Sequence, residues 1–292
     1  MMERLPEFNV VWDSPSPDAS GSMPLGNGDL ALNVWLEPSG DLLLLIAKSD
    51  AWDENSINLK LGRIRIRLLP NPFLAGAPFR QTLHLKTAEI EIAAATARLR
   101  IWVDANHPAI HIEASSQVPI EIEAALEMWR TEPRQIQTQT SDMFKNLAGK
   151  NSDPYPTIVW PDRLINDQSH SITWCHHNEK RVPDPFEVNL RLQGLAAMQE
   201  RMLHPLLGRT FGATMLGPDF IRTGPQTLRS KSPGLRHLLN IFSLTLHPTT
   251  PDEWRRELDA RVSTIQQINP SASRKDHEQW WHDFWNRSWI YL

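Results

Sequence analysis

Residues 29–48 read DLALNVWLEPSGDLLLLIAK, and this stretch decides the fold class. In its first half every second residue is apolar, which is the period of a strand with one buried face; these residues are Leu30, Leu32, Val34 and Leu36. The segment EPSGD then predicts a turn, in which Gly40 can take a positive φ. The run DLLLLIAK predicts a second, more deeply buried strand. The stretch therefore predicts two strands joined by a turn, the unit from which an antiparallel sheet is built.

The glycines just before this stretch match a short nucleotide-binding pattern. Gly26-x-Gly28-x-x-Ala31 fits the loose form of a dinucleotide-binding loop. Such a loop must follow a strand and open a helix, because the helix N-terminus holds the pyrophosphate. Here a strand follows the glycines and Pro24 precedes them. Gly26, Asn27 and Gly28 are therefore interpreted as a turn, and no cofactor is expected.

The same alternation continues along the chain. RIRIRLL (63–69), ARLRIWVD (97–104) and PIEIEAALEMW (119–129) each set apolar residues against charged ones. An arginine-faced strand and a glutamate-faced strand in one antiparallel sheet can pair across strands. A face for an anionic ligand on the arginine strand is the alternative. A solvated sheet surface is favoured, because half-exposed antiparallel strands usually carry their charges on the outer face.

The remaining segments before residue 250 predict further strands. Residues from about 131 to 170 are irregular and are interpreted as a surface insertion. Strands are then predicted for HSITWCHHN, FEVNLRLQGL, FGATMLG and GLRHLLNIFSLTLHP, with no helix of length before residue 250. Many short strands with proline- and glycine-rich turns indicate two packed sheets. The predicted fold is mainly β, a large two-sheet antiparallel β-sandwich.

A helical segment follows the predicted strands. Thr250-Pro251-Asp252-Glu253 has the form of a helix start, with threonine as N-cap and glutamate three residues later. Apolar residues at helical spacing follow it, and a second helix is predicted to begin near Ser273. The final SWIYL is interpreted as the beginning of a strand.

The composition excludes several classes of partner. The chain has 292 residues and a formal net charge of -4, which gives no general attraction to nucleic acid or anionic lipid. The longest aliphatic run, LLLLIA, is far too short to cross a bilayer, and no export signal is visible at the N-terminus. We therefore expect no nucleic acid and no membrane as partners.

The C-terminal residues are unusually aromatic. Four of the twelve tryptophans lie among the last thirteen residues, together with a phenylalanine; the aromatic residues are Trp280, Trp281, Phe284, Trp285 and Trp289. A helix that is aromatic on more than one side needs cover on more than one side. Two alternatives stay open: the helix docks on the sandwich alone, or it is clamped between the sandwich and another domain.

Two patches of sequence carry a family resemblance. MPLGNGDLALNVWLEPSGDLLLLIAKSDAWDE (23–54) and HEQWWHDFWNRSWI (277–290) resemble the N-terminal region of bacterial glycosidases of the six-hairpin type. The resemblance is to the DUF5703 domain and, more distantly, to the N-terminal sandwich of glycoside hydrolase family 95 α-L-fucosidases. Relatives of this family are commonly exported, so the compartment is left unassigned.

The resemblance implies a domain organisation. Residues 1–248 would form a galactose-mutarotase-like supersandwich, and residues 249–292 would form a helical linker to a catalytic (α/α)6 barrel. The catalytic residues are then expected beyond Leu292, so none is assigned in this chain. The barrel would be a partner in cis or in trans, and carbohydrate would be the substrate.

Candidate rim residues surround a tryptophan that follows the second predicted strand. Asp50, Asp53 and Glu54 lie close to Trp52, and an indole beside carboxylates can stack on a sugar. A complete catalytic pair there is disfavoured, because catalysis needs a deep concave pocket. The alternative is an ordinary turn with a buried Trp52.

Histidines supply the other candidates for chemistry. His107, in DANHPA, could transfer a proton on a sugar as in the related mutarotase sandwich, although a plain reverse turn is favoured. No metal site is expected. His176 and His177 alternate faces on a strand, and His277 and His282 are five residues apart, so neither pair shares a face.

The expected function is that of a non-catalytic N-terminal module of a glycoside hydrolase, which scaffolds the barrel and shapes the carbohydrate entrance. The alternative is a stand-alone lectin-like sandwich that stacks sugars on exposed tryptophans. A third, weaker interpretation is a mutarotase-like enzyme that uses His107 and a carboxylate.

Overall fold

The computed structural model describes residues 2–74, 76–136, 157–165, 168–182 and 184–288. Trp289, the strand predicted at the C-terminal end and much of the predicted insertion lie outside these ranges. The described part of the insertion carries three of the short strands given below. Among the helices of the described chain, none is long and apolar enough to cross a membrane.

Strands make up the largest share of the described chain. In chain order they are β1 (Val10–Trp12), β2 (Met23–Gly26), β3 (Leu30–Leu36), β4 (Leu42–Trp52), β5 (Asn58–Leu69), β6 (Arg80–His84), β7 (Glu89–Ala93), β8 (Ala97–Val103), β9 (Ala109–Glu127), β10 (Arg134–Gln135), β11 (Ile158–Val159), β12 (Arg163–Ile165), β13 (Ser171–His177), β14 (Thr210–Leu216), β15 (Phe220–Gly224), β16 (Thr227–Ser230) and β17 (Gly234–Leu246). The α-helices are α1 (Pro185–Leu192), α2 (Pro251–Gln266) and α3 (Pro270–Trp285), and short 3-10 helices cover Met2–Phe8, Ala19–Gly21 and Ala196–Arg201.

Fifteen of the seventeen described strands form two antiparallel sheets that share one long strand, and β10 and β11 pair only with each other. The first sheet has the order β1-β6-β7-β8-β9-β17-β14-β13-β12, and the second has the order β2-β3-β4-β5-β9-β16-β15. The first half of β9 pairs with β8 and β17, and its second half pairs with β5 and β16. One strand therefore passes from one sheet to the other. The mainly β, antiparallel fold predicted from the alternation is confirmed.

The core lies between the two sheets. Alternate residues of β3, β4 and β5 in the second sheet, among them Val34, Leu44 and Ile64, are buried in one cluster with residues of the first sheet such as Ile90 and Ile101. On β5 the opposite face carries Arg63, Arg65 and Arg67. Burial with period two is what holds the register of each strand, because a slip of one residue would turn its apolar face to water.

One predicted strand is wrong. FEVNLRLQGL contains the helix α1, and its start is fixed by Asp184, whose side chain accepts hydrogen bonds from the backbone N–H groups of Phe186 (2.8 Å) and Glu187 (3.4 Å). Pro185 occupies the first helical position, where its missing N–H costs nothing. The apolar residues at every second position fit a strand equally well, so the N-terminal cap decides the conformation.

The helix α2 is part of the sandwich rather than a loose connection. The predicted capping box is confirmed at Thr250 and Glu253. Trp254, Leu258 and Val262 are buried in a second cluster with residues of the first sheet. The Trp254 indole N–H also donates to the Leu244 carbonyl at 3.0 Å, so β17 and α2 are held by both packing and a hydrogen bond.

The helix α3 begins at Pro270, capped by Asn269, three residues before the predicted start. It lies against the first sheet. His277 donates from Nε2 to the Thr87 carbonyl (2.9 Å) and accepts at Nδ1 from the backbone N–H of Ala105 (3.2 Å). Arg274 forms an ion pair with Glu89 of β7. These bonds fix the N-terminal half of α3 to two loops of the sheet.

Candidate functional site

Two loops that the sequence analysis treated separately lie together in the structure. Residues 27–29 connect β2 to β3, and Gly28 has a φ of 91°, which a side chain would strain. The Asn27 side chain accepts from the backbone N–H of Leu30 (2.8 Å) and donates to the carbonyl of Asp104 (2.7 Å). The Gly26–Gly28 segment is thereby joined to the loop that carries His107.

That second loop is organised by a buried carboxylate. Asp104 accepts from the backbone N–H of Asn106 (2.8 Å), from the Ser273 hydroxyl (2.8 Å) and from His107 Nδ1 (3.0 Å). Burial raises the Asp104 pKa, but the nearby His111 ring, with Nε2 3.7 Å from Asp104 Oδ2, and the three hydrogen bonds outweigh burial and hold this pKa well below its usual range. The His107 side chain is 29% exposed. The pair resembles a general-base dyad, yet the same carboxylate also anchors α3.

A buried lysine extends this surface toward Trp52. Lys48 Nζ lies 2.6 Å from Asp29 Oδ1 and 2.8 Å from Asp50 Oδ1, and the lysine side chain is only 6% exposed. Both carboxylates remain partly open to solvent. They share one cation, which leaves their other lone pairs free to accept hydrogen bonds from hydroxyl groups.

Trp52 stands at the end of β4 with its ring in solvent. The residue is 40% exposed, and its indole N–H donates to the Ser49 carbonyl at 3.0 Å. The Arg209 side chain donates to the Asp50 carbonyl at 3.1 Å. The ring is thus held by the backbone beside Asp50 rather than packed into a core. We call the residues Asn27, Asp29, Lys48, Asp50, Trp52 and His107 the rim.

Asp53 and Glu54, the other two candidates around Trp52, lie beneath the surface. Asp53 is fully buried and accepts from the backbone N–H groups of Asn55 (2.9 Å) and Ile57 (2.8 Å). Burial raises the Asp53 pKa even though these bonds oppose it. Glu54 is buried as well and accepts from the backbone N–H of Glu179 at 3.2 Å. Their contacts shape the turn that presents Trp52, and neither side chain reaches the outer surface.

A buried charge cluster behind this turn was missed in the sequence. His176 lies between Glu54 (Nε2 to Oε2, 3.3 Å) and Asp162 (Nδ1 to Oδ1, 3.1 Å), and Arg130 lies 2.7 Å from the second Asp162 oxygen. Burial lowers the His176 pKa, but the bonds to Asp162 and Glu54 outweigh it and raise the pKa to about 9. The signal in the sequence was a titratable residue, His176, within a strand whose other residues are nearly all buried.

The structure places Cys175 away from any ligand set. Burial raises the pKa of its thiol to about 12, which disfavours the thiolate that binds metal. Among the residues that the structure describes, no group of three or more His, Cys, Asp or Glu side chains could hold a metal ion.

The aromatic residues of α3 stack on one another. Trp280 and Phe284 lie parallel, with ring centroids 5.7 Å apart and an interplanar angle of 7°. Trp281 packs edge-on against Phe284 at 5.3 Å, and the Trp285 indole N–H donates to the Leu85 carbonyl at 2.7 Å. All four side chains are only partly buried. The helix therefore docks on the sandwich and still leaves aromatic surface in solvent.

Comparison with known proteins gives a family and a distant structural neighbour. A solved structure titled "Putative kojibiose phosphorylase from human microbiome" superposes with a TM-score of 0.48 at 9% sequence identity. The match covers 95% of this chain and 38% of that one, so the chain spans well under half the length of that protein. No curated protein matches the chain. The DUF5703_N model, described as "Domain of unknown function (DUF5703)", matches residues 11–290, and the chain therefore belongs to the DUF5703 family.

Proposed function

We propose that this chain is the non-catalytic N-terminal module of a glycoside hydrolase of the six-hairpin type. In this proposal the rim borders the carbohydrate entrance of a catalytic (α/α)6 barrel that lies beyond residues 1–248 and the helical linker 249–292, in cis or in trans. The aromatic residues of α3 contact that barrel. The sequence resemblance at residues 23–54 and 277–290 supports the assignment to carbohydrate chemistry.

The observation that carries the proposal is the exposed Trp52 ring beside Asp50. One face of a pyranose ring presents C–H groups, which pack on the electron-rich face of an indole, while its hydroxyl groups need hydrogen-bond partners at the edge. Trp52 offers the face, and Asp50 and Asp29 offer acceptors at its side. Because Lys48 and the Ser49 carbonyl hold these groups, a sugar would meet a preorganised surface.

The partly covered aromatic residues of α3 support the scaffolding role. Large aromatic side chains bury about 150–250 Å² each and are enriched where protein surfaces meet. Trp280 and Phe284 stack on each other and remain partly exposed. A barrel domain packed against this helix would complete their burial.

The test compares two tryptophans of equal exposure. Trp52 and Trp12 are each 40% exposed, and the indole N–H of each donates to a backbone carbonyl at 3.0 Å. In an enzyme preparation that contains the barrel, we expect Trp52→Ala to raise KM about tenfold or more with little change in kcat, because it removes binding outside the reacting bond. Trp12→Ala should leave both parameters unchanged.

Assays of the isolated chain can contradict the proposed role. On a panel of aryl glycosides and oligosaccharides, purified chain should show no turnover, and turnover would overturn the proposal. Micromolar binding without turnover, lost in Trp52→Ala, would instead favour the stand-alone lectin-like module.

The Asp104–His107 pair favours one other function, a mutarotase-like proton transfer on a sugar. That function requires His107→Ala to abolish catalysed anomer exchange, measured by polarimetry. Because Asp104 is also committed to Ser273 and to the backbone of its own loop, we expect no such catalysis.

A further inference from the structure

A polar groove lies on the outer face of the first sheet, beside the N-terminal end of α3. Its volume is about 610 Å³. Arg98 of β8 and Arg236 of β17 both pair with Ser115 of β9, so the two arginines flank that serine on one sheet face. Arg100 lies two residues after Arg98, on the same face of β8. Arg274 enters the groove from α3. Donors thus enter the groove from two strands and a helix.

Some donor atoms of these guanidinium groups have no hydrogen-bond acceptor. Arg236 makes no ion pair or side-chain hydrogen bond within the part of the chain that the structure describes. The Nε of Arg100 and the Nη1 of Arg274 are buried without a hydrogen-bond partner. Buried donors left in this state cost free energy, and their presence along one groove needs an explanation.

The neighbouring carboxylates only partly satisfy them. Glu91 lies 3.3 Å from Arg98 but 3.5 Å from Arg100 Nε, and Glu113 lies 3.5 Å from Arg274 Nη1 while it also accepts from the Trp102 indole N–H at 3.3 Å. Glu113 and Asp219 are the two carboxylates that line the groove. Glu89 and Glu278 also pair with Arg274. The exposed Arg236 is therefore the one of the four guanidinium groups that has no carboxylate partner among the described residues.

The N-terminal end of α3 also lines the groove. Pro270 and Ser271, the first residues of α3, line the groove. A sixteen-residue helix carries a partial positive charge at its N-terminus, which favours anions placed there.

From this arrangement we propose that the groove binds a tetrahedral oxyanion, a sulfate or phosphate group. Such a group has only acceptor oxygens, which are what Arg236 and the two unpartnered atoms, Arg100 Nε and Arg274 Nη1, require. Its oxygens point in four directions and can be reached from both strands and from the helix. This site is separate from the rim and does not depend on the function proposed for the rim.

The experiment titrates the whole chain by calorimetry with sodium sulfate, sodium phosphate and a sulfated monosaccharide, at fixed ionic strength in chloride. We expect binding, and we expect Arg236→Gln to weaken it about tenfold or more, since a charge-assisted hydrogen bond is lost. Arg67→Gln is the matched control. Arg67 is a half-exposed arginine on the second sheet, and it already pairs with Asp41 and Glu123.

The outcomes separate the possibilities. Equal weakening by Arg236→Gln and Arg67→Gln would mean general charge attraction and would overturn the proposal, as would the absence of binding at millimolar concentration. Tighter binding of the sulfated sugar than of sulfate identifies an anionic saccharide as the ligand, and equal binding identifies the free ion. Trp52→Ala should leave this binding unchanged, so failure here is distinct from failure at the rim.

Discussion

His176 is a buried cation that joins three segments of the chain. Its ring bonds Glu54 in the turn after β4 and Asp162 near β12, and it stacks on Phe211 of β14 with ring centroids 5.1 Å apart. A buried charge without partners would be expelled or neutralised, whereas two carboxylates stabilise the protonated ring. The side chain that a metal-site interpretation would single out thus has a structural role, holding the base of the turn that presents Trp52.

This role makes a prediction about pH. The folded-state pKa of His176 is raised to about 9, above the ordinary value of about 6.5 in the unfolded chain. Its contribution to the free energy of unfolding is therefore full below about pH 6.5 and is lost as the pH rises through about 9. His176→Gln should destabilise the chain by about 2–3 kcal/mol at pH 6, and by less at pH 9.

Urea denaturation at a series of pH values measures this difference, and the NMR titration of the His176 ring measures the pKa directly. His170→Gln, at an exposed histidine, is the control and should leave the stability curve in place. A His176 ring that titrates near pH 6 would contradict the account.

Among the elements, β5 carries a row of arginines that differ in how they are paired. The Arg65 side chain is 17% exposed and bonds Glu37 (2.8 Å), Asp41 (3.0 Å) and Glu127 (2.6 Å). The Arg67 side chain, two residues on, is 50% exposed. The cross-strand pairing of arginine and glutamate strands predicted from the sequence is present, because β5 pairs with the second half of β9.

Arg65 and Arg67 should therefore contribute different amounts to the free energy of unfolding. Arg65→Gln leaves three carboxylates around a partly buried position and should cost about 2 kcal/mol of unfolding free energy. Arg67→Gln should cost less than about 1 kcal/mol, and that cost should shrink in high salt, because exposed pairs are screened. Urea titrations of both variants at low and high salt test the comparison. Equal effects would mean that the row is only a solvated surface.

At the same scale, sequence periodicity predicted the strands but not every element. The alternation at Leu30–Leu36 specifies a strand because it repeats over seven residues. At residues 185–192 the same alternation is present, yet the segment is a short helix, in which Pro185, Val188 and Leu190 are buried. Periodicity over so short a span does not distinguish the two, and the cap at Asp184 was the informative signal.

At the scale of the whole molecule, the sequence predicted separate candidate residues of the rim but not the contacts that bring them together. Asn27 meets the His107 carbonyl across 80 residues, and Asp104 meets Ser273 across 169. Such contacts follow from how the two sheets and α3 pack, which local pattern does not encode. Asp50 and Trp52 are neighbours in sequence, and both are also partly exposed at the surface. For Asp53 and Glu54 sequence proximity misled, because the turn folds them inward.

The outer surface of α3 tests whether this molecule is built to be covered by another domain. Trp285 is tied to the sandwich through Leu85, whereas the ring contacts of Trp280 within the described residues are with Trp281 and Phe284 of its own helix. Trp285→Ala should lower the unfolding free energy by about 3 kcal/mol, as for a packed aromatic side chain. Trp280→Ser should cost about 1 kcal/mol or less and should reduce the binding of a hydrophobic dye to the isolated chain.

Urea denaturation and dye fluorescence of the two variants show whether the surface of α3 is an interface for another domain. An interface residue is buried by its partner domain and is exposed in the isolated chain. Its replacement should therefore change the stability of its own domain little and should reduce the binding of a hydrophobic dye. If Trp280→Ser costs as much stability as Trp285→Ala, then the aromatic residues of α3 form an internal packing unit. The helix would then close the sandwich by itself, and the argument for a barrel packed on this surface would lose its structural support.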